Sequence, residues 1–464
     1  MCKLSDEAVA AILGKGRIYD VGGAVRDRLL QKVVTSKDRD YLVTGVDYDD
    51  LTRILRKHGR VDLVGRSFGV IKFTEPSADG PITFDITLPR REHSTGWGHK
   101  EFEVSFDPGL SVEDDLVRRD FTVNAMAIAL DNDELIDPLG GQVDLENHLL
   151  RMVYPESFAD DSLRMLRAVQ FAARFDFSIE SNTFEAMRVH AKLIATVSAE
   201  RISEELSKLL TLAEKPSDGF RLMQTSGLLK EVLPELERCV GIEQPGGFHK
   251  YDVFEHSVRT VDACRPDLRL RLAALLHDIC KPQARRLVEN GATFYGHETA
   301  GARTAQDVLQ RLRYSHDLAA QVSTLVARHM FTTDVTDKGL RRLVKRVGAD
   351  LIFDLLDLRR ADVVAQGMGG TTEDVDRFEA DIRSELSRKP PFKVADLAID
   401  GHEVMRLFHL EPGPMVGEVL DYLLEQVLDN PGYNVREKLE SLARVYLKKQ
   451  NYASDDNNLR GNEQ

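Results

Sequence analysis

No stretch of the 464-residue chain approaches the roughly 20 consecutive apolar residues that cross a bilayer, so no membrane span or membrane partner is expected. The first residues lack a basic segment followed by an apolar core, and a secretory leader is not expected. Cysteine is sparse. Cys2, Cys239, Cys264 and Cys280 are scattered and form no CxxC pair, which supports neither a zinc ribbon nor a disulfide framework. A reducing, cytoplasmic setting is expected. Excess positive charge is also missing. The formal net charge of −14 argues against broad coating of nucleic acid, since phosphate contacts need lysine and arginine. A local basic track is compatible with it, and carboxylates that hold metals add to the negative count. No internal repeat is visible.

The remaining composition, 42% hydrophobic and 30% charged, is that of an ordinary globular chain. Its length implies roughly two to four structural units. Up to about residue 145, short strands (17–21, 38–43, 69–73, 82–88) alternate with a helix over 24–31, entered through Gly22-Gly23. Beyond that point apolar residues recur at helical spacing, over 163–175, 182–193, 199–212 and 219–228. Helices continue to about Lys449, with a loop at Ser387–Phe392. The polar segment 450–464 is expected to be disordered. The expected fold is α+β: a mixed-sheet, palm-like head over 1–145, a helical neck and body over 146–245, a metal-binding helical domain over 246–370 and a helical tail over 371–449.

Four clusters carry chemistry in the first part. Gly22 and Gly23 end a strand and open a helix whose free N–H groups suit a phosphate, and Arg26 adds a fork of donors. Taken alone this is equally an ordinary strand–helix turn. Asp38 and Asp40 lie two apart on a strand and so share a face. Paired carboxylates of this kind suit Mg²⁺ together with substrate phosphates, and a two-metal site can promote attack by a hydroxyl and departure of pyrophosphate. A solvated strand edge is the plain alternative. Asp85, on another apolar strand, is a weaker candidate for a third carboxylate, since a single strand aspartate also caps turns. Arg118, Arg119, Asp120 and Asn124 combine guanidiniums for phosphate with groups for ribose, and on a helix Asp120 and Asn124 would share a face. A surface salt-bridge cluster is the alternative there.

In this order and spacing, the motifs at 22–27, 38–40 and 118–126 resemble the class II tRNA nucleotidyltransferase and bacterial poly(A) polymerase family. The likeness runs on through 137–151, 158–168 and 200–205, and covers roughly residues 15–240. The resemblance implies that Asp38 and Asp40 hold catalytic Mg²⁺. It implies that Gly22, Gly23, Arg26, Arg118, Arg119, Asp120 and Asn124 hold triphosphate and ribose. Asp161 and Arg164, with Arg167 beside them, would select the base of CTP or ATP, since a carboxylate and a guanidinium three apart on a helix complement a Watson–Crick edge. Arg90 and Glu92 fall in the loop linked in this family to the switch from CTP to ATP. Asp160 stands where the family often has glutamate.

A second constellation lies further on. A lone histidine on a helix is usually structural, but His256, His277-Asp278, His297, His329 and Asp362 recur in an order that resembles the HD superfamily of metal-dependent phosphohydrolases over about 249–365. His256, His277, Asp278 and Asp362 make the core set, and His297 and His329 would serve a second metal or phosphate. Imidazole plus carboxylate suits Mn²⁺, Fe²⁺, Co²⁺ or Ni²⁺, and sometimes Mg²⁺. The implied function is template-independent CCA addition to tRNA from CTP and ATP, with phosphohydrolysis at the HD site. An A-adding enzyme, a poly(A) polymerase, and a phosphohydrolase whose head only binds RNA remain as alternatives. Monomer and homodimer are both open.

Overall fold

The computed structural model describes residues 3–31, 39–62, 69–77, 80–94, 102–245, 247, 249–289, 291–388 and 390–460. The chain divides into two compact units. The first comprises residues 1–240, 266–268 and 308–315; the second comprises 241–265, 269–307 and 316–464.

The head of the first unit contains β1 (Arg17–Val21), β2 (Asp40–Thr44), β3 (Arg60–Asp62), β4 (Val70–Glu75), β5 (Ile82–Thr87), β6 (Arg90–Ser94), β7 (Phe102–Phe106), β8 (Ala127–Ala129) and β9 (Leu135–Ile136), and two short strands, Leu149–Leu150 and Ser178–Ile179, follow. Seven of them form a mixed sheet in the order β3-β4-β5-β2-β1-β8-β9, and β6 and β7 pair separately. Within the seven-stranded sheet only β2 and β5 run parallel; its other pairs are antiparallel. The two-residue period divides the central strands between two cores. Ile18, Tyr41, Val43, Phe84 and Ile86 pack on one face, with Leu4, Ala8 and Ile12 of the first helix. Tyr19, Val21 and Leu42 pack on the other, with Val112, Leu116 and Ala125. Asp40 and Asp85, one residue away from Tyr41 and from Phe84 and Ile86, are thereby turned to this second face.

Helices follow, and three expected elements have the bounds read from sequence: β1, the helix Leu163–Phe175 and the helix Ala199–Leu212. The helix Leu163–Phe175 is stopped by Asp176 in a left-handed conformation (φ 57°). Pro216 opens the next helix, Pro216–Ser226, where its missing N–H costs nothing.

Helices dominate the second unit. One apolar cluster, including Leu397, Val404, Val419, Leu423, Val427 and Leu439, is built from its C-terminal part. The last helix is Arg436–Arg460, so helical backbone enters the segment expected to be disordered. Among the described residues, no helix is long and apolar enough to cross a membrane.

Candidate active site and a buried imidazole centre

Residue Asp40 stands directly opposite Asp85 in the parallel β2–β5 pair, which sets the two carboxylates side by side on one sheet face. Lys72 Nζ lies 3.3 Å from Asp85. Both aspartates line a cavity of about 410 Å³ together with Asp120, Asp161, Arg90, Arg118, Arg119, Arg164, Arg167 and Arg201. Six guanidiniums thus face four carboxylates, the balance expected of a chamber for a polyanion and its cations.

Five of these arginines, Arg118, Arg119, Arg164, Arg167 and Arg201, are held by groups behind them. Asp115, with its carboxylate fully buried, binds both Arg118 and Arg119; Arg119 Nη2 is 3.1 Å away. Burial pushes the Asp115 carboxyl up, but Arg119 and Arg118 outweigh it and leave it below its ordinary value. Arg164 Nη1 donates to Arg119 O (3.3 Å), Tyr154 OH (3.0 Å) and Ser157 Oγ (2.8 Å), and Nη2 donates to Arg118 O (2.8 Å). Tyr154 OH in turn donates to Asp160 Oδ2 at 2.9 Å. Burial lifts the Tyr154 pKa to about 12, so it stays a neutral donor. The aspartate at position 160 therefore supports Arg164 through a tyrosine. Asp161 accepts from Arg201 Nη2 at 2.9 Å.

Asp161 and Arg164 do not share one helix as expected. Asp161 is extended (φ −135°, ψ 99°) after the short helix Ser157–Asp160, and Arg164 belongs to Leu163–Phe175. Asp161 Oδ1 accepts from Leu163 N, the first residue of the second helix. Asp120 and Asn124 do not lie on an α-helix either. Phe121 is extended and pairs with Met152, and Thr122–Asn124 form one 3₁₀ turn. Asn124 Nδ2 nevertheless donates to Asp120 Oδ1 at 3.1 Å. The helix expected over 24–31 is Gly23–Leu29.

Gly22, Gly23, Arg26 and Asn124 are not among the residues lining the cavity. Arg26 is buried, donates to Asp27 (2.9 Å) and to Asn124 Oδ1 (2.7 Å), and sits 4.3 Å from the centre of the Phe175 ring. A continuous polar chain results: Asp27, Arg26, Asn124, Asp120, Arg167 (2.7 Å to Asp120) and Glu205 (3.8 Å from Arg167). Burial raises Asp120, but Arg167 and Arg164 lower it further, and the net direction is down. Asp38 and Arg91–Ser94 are different: Asp38 lies outside the described residues, and of Glu92 only the backbone in β6 is described. Arg90, at the start of β6, reaches the cavity. Asp115 and Arg201 escaped the sequence reading. Asp115 carried a signal in its i+3 and i+4 spacing to Arg118 and Arg119; Arg201 carried none nearer than the motif at 200–205.

The second unit brings the remaining set together. His256, His277, Asp278, His297, His329 and Asp362 are all buried. His256 Nε2 lies 3.1 Å from Asp362 Oδ1 and 3.2 Å from His277 Nε2. His297 Nε2 lies 3.2 Å from Asp278 Oδ1 and 3.3 Å from His329 Nε2. The Nδ1 atoms of His277, His297 and His329 meet the carbonyls of Ala274, Phe294 and Val326 at 2.7–2.8 Å. A carbonyl accepts only, so each Nδ1 carries a proton and a neutral ring turns its Nε2 lone pair inward; for His277, burial pulls the pKa down but Asp278 outweighs it and holds the pKa above its ordinary value in the absence of a metal. Burial and His277 push the His329 pKa down to about 3, which keeps that ring neutral. Between His297 and His329 two such lone pairs face each other at 3.3 Å, a repulsion that a cation relieves, whereas His256, with no carbonyl on Nδ1, can donate from Nε2 to Asp362 or His277. No donor is aligned for a hydrogen bond on either Asp278 oxygen, although Lys281 Nζ is 2.6 Å from Oδ2. These residues fit divalent metal. They border a cavity of about 600 Å³ whose wall also includes Gln244, His249, Lys281, Phe294, Tyr295 and Arg359. His249, Gln244 and Arg359 were not singled out from sequence, where each is an isolated polar residue.

Comparison with known proteins decides the family. Residues 18–151 match the poly(A) polymerase head domain, 176–239 a region described as "Probable RNA and SrmB- binding site of polymerase A", and 297–443 tRNA nucleotidyltransferase domain 2. The A-adding tRNA nucleotidyltransferase of Deinococcus radiodurans is 38% identical over 364 residues, spanning 73% of this chain and 81% of that protein. The chain belongs to the tRNA nucleotidyltransferase and poly(A) polymerase family. Another member of this nucleotidyltransferase family, the multifunctional CCA protein of Cupriavidus necator, is 34% identical over 423 residues, 87% of this chain and 96% of that one. In fold, the chain resembles the CCA-adding enzyme of Bacillus stearothermophilus crystallised with CTP (TM-score 0.71, 21% identity, 97% of each chain). It also resembles the Thermotoga maritima CCA-adding enzyme complexed with tRNA (TM-score 0.52, 23% identity, 94% of each).

Proposed function

We propose that this nucleotidyltransferase rebuilds the 3′-terminal CCA of tRNA from CTP and ATP without a nucleic-acid template. The observation that carries the reading is the adjacency of Asp40 and Asp85 in a chamber rimmed by six arginines. Named relatives that add CCA or A to tRNA support the substrate assignment. In the reaction the terminal tRNA hydroxyl oxygen bonds to the α-phosphorus, the bond to the β-phosphate bridge breaks, and pyrophosphate leaves. Asp38, Asp40 and Asp85 would hold magnesium, which lowers the charge on the triphosphate and acidifies the hydroxyl. Arg118 and Arg119, braced by Asp115, take triphosphate oxygens. Asp161 and Arg164 read the base edge. Gly22 and Gly23 form the turn beside them, and Arg26, Asp120, Asn124 and Arg167 keep the strand, turn and helices in register. Residues 1–145 act as the head and 146–245 as the neck and RNA-binding body, in a reducing cytoplasm where Cys239, Cys264 and Cys280 remain thiols. The test uses purified protein, Mg²⁺ and tRNA transcripts ending before CCA, at CC, or at CCA, with CTP, ATP or both, and product length read at single-nucleotide resolution. Completion to CCA followed by a stop is expected. The 38% identical A-adding relative favours one rival, which predicts AMP addition to the CC-ending transcript alone; long A tails would indicate a poly(A) polymerase.

A second activity, metal-dependent phosphoester hydrolysis by an HD-type domain over 246–370, is favoured by the converging imidazoles, with 371–449 as a helical tail. His256, His277, Asp278 and Asp362 would hold Mn²⁺, Ni²⁺, Co²⁺, Fe²⁺ or Mg²⁺, and His297 and His329 a second ion with Asp278. Such an ion supplies a nucleophile at neutral pH. Lys281 and Arg359 present positive charge to the same cavity. Phosphate release from a nucleotide phosphoester, abolished by chelator and by Asp278→Asn, tests it.

A further inference from the structure

The buried centre contains one imidazole more than its sequence pattern requires. His249 lies seven residues before His256 and lines the same cavity. Its ring meets that of His256 edge-on, with centroids 4.7 Å apart at 85°. A ring nitrogen of His249, one of His256 and a carboxylate oxygen of Asp362 all lie within 4.8 Å of one another. An octahedral ion with bonds of about 2.1 Å holds its ligand atoms roughly 3 Å apart when adjacent and roughly 4.2 Å apart when opposite, so three atoms within 4.8 Å of one another need at most a small side-chain movement to share one ion.

A separate observation singles out the same corner. His277, His297 and His329 each have Nδ1 against a backbone carbonyl, whereas the fully buried His256 has Nδ1 without a hydrogen-bond partner. Of these four rings, His256 thus has a second nitrogen left over, and its ring is the one that His249 meets. The backbone aims His249 into place. Lys250 N donates to Gln366 O at 3.0 Å, one helical turn beyond Asp362, and Gln244 Nε2 donates to Tyr251 O at 3.3 Å.

We infer that His249 is a metal ligand of this centre, completing with His256 and Asp362 an ion position separate from the one served by Asp278, His297 and His329. The cavity then binds two divalent ions per chain. The inference rests on the metal-centre reading above.

The experiment is Mn²⁺ titration of metal-stripped full-length protein carrying Asp40→Asn, which silences the head, with free Mn²⁺ followed by electron paramagnetic resonance. Two bound ions are expected in this parent. His249→Ala should lose one of them or bind it at least about tenfold more weakly. His249→Asp, which returns an oxygen ligand, should recover two. Equal melting midpoints of the metal-free proteins separate this loss from misfolding. Unchanged stoichiometry and affinity in His249→Ala overturns the inference and leaves the metal centre standing. A parent that binds no ion overturns the metal-centre reading with it.

Discussion

Arg167 sits where two demands meet: it lines the chamber, and it is the counter-charge for Asp120, whose side chain is 9% exposed. Asp120 titrates below its ordinary value in the folded protein, so the stability it contributes is full above the unfolded carboxylate range and disappears as pH falls through the folded pKa. Arg167→Met leaves a buried carboxylate whose folded pKa must rise, which reverses the sign. The variant should lose stability as pH climbs from the unfolded pKa toward neutrality. Breaking a fully buried pair costs about 3–5 kcal/mol, and the one-third exposure of Arg167 reduces this to about 2 kcal/mol at pH 7. Urea melts at pH 7 and pH 4.5 should show the gap to wild type shrinking at the lower pH. Arg164 has a different task. Its donors reach two main-chain carbonyls, Tyr154 and Ser157, a geometry that an ammonium cannot copy. Arg164→Lys should lower kcat/KM for CTP and ATP by about tenfold or more while narrowing the preference over GTP and UTP, read by single-nucleotide incorporation.

At the scale of elements, the helix Leu163–Phe175 carries unlike jobs along one stripe: Arg164 and Arg167 at the chamber, then Phe171 and Phe175 under the Arg26 guanidinium. The turn that leads into the Arg26 helix is equally constrained. Gly22 has φ +68°, and a Cβ there would meet Arg119 Nη1 at 2.7 Å. Gly22→Ala should cost about 1–3 kcal/mol of stability through backbone strain, and should raise KM for the triphosphate more than it lowers kcat, because it displaces Arg119. Elements of this kind were readable from sequence where local chemistry sets their ends. Pro216 opens one helix, and Val21 gives way to two glycines. What pattern alone could not yield was the break at Asp161–Ser162, which looks helical because apolar spacing continues across it, or the 3₁₀ turn at Thr122–Asn124, which tertiary pairing of Phe121 with Met152 imposes. Strand order was equally hidden, so nothing in the sequence set Asp85 beside Asp40; the parallel β2–β5 register does that. The imidazoles were legible as an ordered series, but their inward lone pairs depend on carbonyls at Ala274, Phe294 and Val326 that no motif encodes.

Across the whole molecule the two candidate sites use separate residues, and the proposed activities should separate. Asp40→Ala is expected to reduce nucleotide incorporation by at least about 10³-fold while leaving chelator-sensitive phosphate release within about twofold of wild type. The units themselves are not consecutive along the chain. Residues 308–315 belong to the first, where Tyr314 OH donates to Ser203 O (3.0 Å) and Arg311 Nη1 to Val232 O (3.0 Å). Leu309 is fully buried. Leu309→Ala should therefore destabilise the first unit by about 3 kcal/mol, detectable as faster hydrogen exchange over residues 200–235.

That interleaving also sets a clock during synthesis. Residue 315 is made 75 positions after residue 240, which at ordinary elongation rates of about 5–20 residues per second means roughly 4–15 s. For that interval the neck helices exist without the segment 308–315 that bonds to them. The carbonyls of Ser203 and Val232 and the seat of Leu309 are then open to water, to chaperones and to proteases. The codons between 240 and 315 thus govern how long the first unit waits, and a pause there would lengthen its exposure without altering a single residue.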